Sequence, residues 1–109
     1  MTRARLPQRR PALVFNVPHP DPASRVTYDV TVGFDAGAPR EIFIGCNKLT
    51  TAMHTSGLEI ATLVSIALQH GATLDELAAA MPRDDRNQPQ GAAGAVLDAV
   101  IAEMRSVAA

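Results

Sequence analysis

Residues 26–34, VTYDVTVGF, alternate strictly. Val26, Tyr28, Val30, Val32 and Phe34 face one way, and Thr27, Asp29, Thr31 and Gly33 face the other. Successive strand side chains leave opposite faces, so nine residues of period two predict a β-strand with one buried face. DAGAP (35–39) supplies turn residues, and REIFIGC (40–46) returns as a second strand. The two strands predict an antiparallel hairpin joined by about five residues. A lone hairpin is marginal in water, so helices must cover it or another subunit must extend it.

After the hairpin the apolar period changes. Between residues 50 and 70, Met53, Leu58, Ala61, Leu63, Val64, Ala67 and Leu68 recur at offsets of three and four. That pattern predicts a helix with a broad buried face, whose start Gly57 delays or kinks. Gly71 suits the position just past its end, where glycine takes positive φ at little cost. Thr73 and Glu76 form a T-x-x-E capping box that opens a second helix over LDELAAAM, and Pro82 ends it. Residues 82–91 read as a polar loop. Residues 92–107 predict a third helix, with Val96, Leu97, Val100, Ile101 and Met104 turned inward.

The start of the chain differs in kind. Five of its eight prolines, at 7, 11, 18, 20 and 22, precede the first clear strand. Proline lacks a backbone donor and fixes φ, so no regular helix forms there, although ALVFNV (12–17) reads as an edge strand. Arg3, Arg5, Arg9 and Arg10 are four of the ten cationic side chains. The expected organisation is a basic, proline-rich arm over residues 1–24 and an α+β domain over residues 25–109. In that domain a β-hairpin, widened to a three-stranded sheet if the arm strand joins it, packs against three helices.

A chain of 109 residues, 47% apolar, supports one modest core without staples. It has no tryptophan, one tyrosine and three phenylalanines, so stacking platforms for nucleic-acid bases are scarce. With a net charge of −1, only the arm offers nucleic acid an electrostatic handle. One cysteine makes no internal disulfide. The sequence holds no apolar run of membrane-spanning length and no apolar signal core after the basic start, so a cytoplasmic location is expected.

Cys46 and His54 are the candidate reactive pair. A nucleophilic thiol needs a base, a metal or a helix N-terminus to become thiolate. No Asp or Asn is evidently placed to orient His54, and the competing reading of Cys46 is a small apolar filler at a strand end. A structural zinc wants about four ligands, whereas the chain has one Cys and three His, so no metal site is expected. His70 suits the end of a helix, and His19 and His54 read as surface or interface groups. Asp75 and Glu76 are ordinary first-turn acids, and Asp84, Asp85 and Arg86 belong to a solvated loop. Neither a P-loop nor G-x-G-x-x-G occurs, so no nucleotide cofactor is expected. The candidate contacts for a phosphate or an acidic partner are Arg3, Arg5, Arg9, Arg10 and Lys48.

The order of features resembles the domain near the C-terminus of adenosylcobalamin-dependent (class II) ribonucleotide reductases, a member of the TSCPD domain family. The features are RLPQRR (5–10), the hairpin, REIFI (40–44) with Lys48 soon after, IATLVSIALQHGATLDELAAAM (60–81), PQG (89–91) and AVLDAVIAEM (95–104). GCN (45–47) is also similar to the strand end of small stand-alone members. The cysteine-bearing segment that names the family has no counterpart, and QPQGAAGAV stands in its place. A radical reductase needs a thiyl cysteine and two reducing cysteines, which one cysteine cannot supply. The resemblance therefore implies a relative of ribonucleoside-diphosphate reductase without its catalysis. It points to an accessory or regulatory module in deoxyribonucleotide metabolism, with the reductase, another protein or a nucleotide as partner. The alternatives are a small oligomeric assembly protein with hairpins paired edge to edge, and a Cys46–His54 enzyme.

Overall fold

In a computed structural model the chain is described over residues 12–47 and 52–108. Three strands, β1 (Ala12–Pro18), β2 (Thr27–Asp35) and β3 (Ala38–Cys46), form an antiparallel sheet in the order β1-β2-β3. Three helices follow: α1 (Ala52–Gln69), α2 (Leu74–Ala80) and α3 (Ala92–Ala108). The architecture is the expected α+β fold, with the arm strand recruited as the third strand. Val17 pairs with Tyr28 and Ala12 with Gly33.

The β2–β3 connection is tighter than the five residues expected. Asp35 pairs with Ala38, which leaves only Ala36 and Gly37 in the turn. Both have positive φ, 52° and 79°, the left-handed geometry that lets a two-residue turn follow the twist of its strands. A bulge between Gly33 and Phe34 absorbs the offset.

The alternation of β2 sorts its side chains as expected. Val30 and Val32 are fully enclosed, beside Tyr28 and against Ile42, Ile44, Cys46, Leu68, Val96, Leu97 and Val100. Burying such aliphatic side chains stabilises by about 1.5–3 kcal/mol each, and this core is the main source of cohesion.

Helix α1 departs from expectation in two ways. It begins five residues before Gly57, which lies within the helix and faces the sheet. A Cβ there would stand 3.1 Å from Ile44 Cγ2 and 3.3 Å from Tyr28 Cε1, so the glycine permits close approach of helix and sheet. The buried arc is also narrower than the apolar pattern implied. It holds Gly57, Ala61, Val64, Ser65, Leu68 and Gln69, while Leu58 and Leu63 are exposed. The cause is that α1 lies against the outer edge of β3. Ser65 Oγ accepts from Ile42 N at 2.9 Å and donates to Ile42 O at 3.1 Å, and Gln69 Nε2 donates to Arg40 O at 3.1 Å. Two polar side chains thus occupy positions that periodicity would assign to apolar ones, because an edge strand carries backbone groups that need partners.

The helix ends follow the expected chemistry. Gly71, with φ 101°, closes α1 in a Schellman motif, in which Ala72 N donates to Ala67 O and Gly71 N to Leu68 O. Thr73 and Glu76 make the reciprocal capping box of α2.

Candidate binding cleft

The hairpin tip, the α1–α2 turn and the second half of α3 enclose a cleft of about 620 Å³. Leu68, Leu74, Ile101 and Met104 give it an apolar floor, and Arg40, Arg105 and Asp75 bring charge to it. The local sequence explains each placement. The Schellman turn reverses the chain between α1 and α2, the capping box starts α2 at once, and the two-residue hairpin turn sets Pro39 and Arg40 opposite. Arg40 Nη1 donates to Leu68 O at 3.0 Å, which satisfies a carbonyl in the last turn of α1 and anchors the guanidinium at the cleft wall. Arg105 is exposed in the last turn of α3. The volume lies in the range of small-ligand sites, and an apolar floor with a few charged groups is their usual lining.

Met104 is shared with a second apolar cleft of about 640 Å³, lined also by Leu13, Phe34 and Val107.

On the other side of α2, Arg83 makes a bidentate pair with Asp98, at 2.7 and 2.8 Å, and also donates to Asn87 O and Ala78 O. The Arg83 hydrogen bond holds the Asp98 carboxyl below the usual aspartate range, against a smaller opposing effect of burial. This pair pins the 82–91 loop to α3. Asp84 Oδ1 accepts from Arg86 N and Gln88 N, so that carboxylate is spent on shaping the loop.

The sequence-predicted site residues divide between described and undescribed parts. Arg3, Arg5, Arg9, Arg10 and Lys48 lie outside the described residues. Cys46 ends β3 with 6% exposure, belongs to the core, and pairs across the ladder with Tyr28. Burial pushes the Tyr28 phenol above its ordinary value, with the nearby Cys46 adding to the effect, and its Oη lies 3.9 Å from Met53 Sδ. His54 is half-buried in the first turn of α1. His70 follows the last residue of α1, and His19 Nδ1 accepts from Asp21 N at 3.0 Å. Among the described residues, no three His, Cys, Asp or Glu side chains cluster to hold a metal ion, and no helix is long and apolar enough to cross a membrane.

Residue chemistry alone does not single out Arg40 and Arg83. Each looks like a solvated cation in sequence. The one available signal was position, since Arg40 follows a turn at a strand start and Arg83 follows the helix-ending Pro82.

Comparison with curated proteins finds no match, and comparison with solved structures finds none either. A family model, the TSCPD domain, matches residues 5–107. That span takes in the whole sheet and nearly all of the last helix, and on it this chain belongs to the TSCPD domain family.

Proposed function

We propose that this ribonucleotide-reductase-related domain is a non-catalytic accessory or regulatory module of cytoplasmic deoxyribonucleotide metabolism, acting by binding a protein or nucleotide partner. The observation that carries the reading is the cleft, with its floor of Leu68, Leu74, Ile101 and Met104 and its two guanidiniums, Arg40 and Arg105. An apolar floor takes a base or an apolar side chain, and arginine takes a phosphate or carboxylate. The arm arginines Arg3, Arg5, Arg9 and Arg10, with Lys48, are further contacts for such a partner.

The test is titration of the protein with ribonucleotides, deoxyribonucleotides and a class II reductase at low and high salt. Binding that weakens with salt, and about tenfold or more on Arg105→Glu or Met104→Asp, supports the reading. No binding to any of these overturns it.

A second reading, a small oligomeric assembly protein, has one observation in its favour. The β3 edge is occupied by Ser65 and Gln69, whereas β1, ALVFNVP, is an edge strand without a single charged residue. Natural sheet edges are usually guarded by charge, so β1 suits pairing with a second copy. Sedimentation across a concentration series decides it: a dimer abolished by Val14→Lys supports it, and a monomer at every concentration removes it.

A further inference from the structure

The helices cover one face of the sheet, and the opposite face carries an unusual concentration of apolar surface. Six large apolar side chains stand out as exposed among the described residues; Val14 and Phe43 lie on this face, and Leu58 and Ile66 share a cleft with Phe43. Val14, Thr31 and Phe43 form one cross-strand row on the outward face. Phe43, 55% exposed, continues into a cleft of about 380 Å³ that it shares with Glu41, Leu58, Thr62 and Ile66 beside α1. Leu63, 69% exposed, lies elsewhere on the same helix.

Among the described residues, the charges placed on this face are acidic. Asp29 stands outward next to the Phe43 row, opposite Gly45, and Glu41 lines the cleft. Glu59 is the sole carboxylate of α1, and neither α1 nor β1 contains a lysine or arginine. Arg40, the one cation in β2 or β3, is engaged with Leu68 O at the far end of α1. A second copy of this face would bring acid against acid. The complementary occupant is basic and apolar.

The chain itself contains one. Residues 1–11, MTRARLPQRRP, hold four arginines and no acid, whereas the remainder holds six cations against eleven acids. This segment leads directly into Ala12, which begins β1 on the same outward row parity as Val14. Eleven residues reach about 35 Å when extended. Crossing two inter-strand spacings and the width of a helix takes about 20 Å, so the length suffices.

We propose that residues 1–10 dock across this face of their own chain. The arginines meet Asp29, Glu41 and Glu59, and Leu6 and Pro7 cover the apolar side chains of Phe43, Leu58 and Ile66. This face is separate from the cleft of Arg40 and Arg105, so ligand binding in that cleft and docking of the arm here can fail independently.

The test is limited trypsin digestion of the full chain, with cleavage after Arg3, Arg5 and Arg9 followed by mass spectrometry. The variants are the exposed charge reversal Asp29→Lys with Glu59→Lys, and separately Phe43→Ser, each checked for native circular dichroism. Docking predicts arm cleavage at least about tenfold slower in the unaltered protein than in either variant at low salt, with the difference from the charge reversal vanishing at about 0.5 M salt. Protection should be independent of protein concentration. Equal cleavage rates in all three proteins at low salt overturn the proposal. Protection lost on dilution overturns its intramolecular form and assigns the arm to a neighbouring copy.

Discussion

Arg83 illustrates how much one residue can organise when its partners lie on three different segments. Its guanidinium joins the end of α2, the 82–91 loop and Asp98 of α3. The Asp98 carboxyl is held below its ordinary 3.8 chiefly by that hydrogen bond, so the folded chain binds this proton less readily than the unfolded one. The stability it contributes is present above 3.8 and is lost as pH falls through the lower native value. Denaturant melts in acid should therefore show Asp98→Asn destabilised at neutral pH and converging on the unaltered protein as pH falls; parallel curves would sink the idea. Gly57 acts by absence of a side chain. Filling the space against Ile44 and Tyr28, both enclosed, should cost more than the helix propensity gained. Gly57→Val is expected to destabilise by about 2 kcal/mol or more in chemical denaturation.

At the scale of elements, the decisive contact is α1 against the edge of β3. Ser65 answers both the N–H and the C=O of Ile42 in a buried position. Ser65→Ala leaves that N–H and carbonyl without these bonds, and about 1–3 kcal/mol of stability should go with them. Hydrogen exchange at the Ile42 amide should quicken accordingly; unchanged protection would show that the serine is dispensable. The elements themselves were largely legible in sequence. The period-two run, the Gly71 stop and the Thr73–Glu76 box each act within a few residues, so local chemistry announces them. The two-residue turn was not legible, because Ala36 is a poor residue for positive φ and only strand register forces it there.

Across the whole molecule, β1 ties the start of the chain to the core. Val17 is buried, and Leu13 and Phe15 pack against the buried cluster. A chain beginning at residue 25 lacks this strand and should melt at markedly lower denaturant, by several kcal/mol on the scale of lost apolar burial. A chain beginning at residue 12 should melt close to the full chain, with any difference measuring what the arm adds. Equal melting of all three would show that β1 contributes nothing to cohesion. The candidate cleft exists only at this scale, since Arg40, Leu68, Leu74, Met104 and Arg105 come from four separate elements.

The amino-acid sequence by itself determined the element order, the helix caps, the inward face of β2 and the ordered set of segments by which the family was recognised. These depend on interactions between residues a few places apart, which a linear reading can see. Only the tertiary structure decided that α1 covers the β3 edge with Ser65 and Gln69, that Leu58 and Leu63 face outward, and that Arg40 and Arg105 share a cleft. Those outcomes depend on which backbone groups and which cavity walls meet across the fold, a matter of three-dimensional proximity that periodicity does not encode.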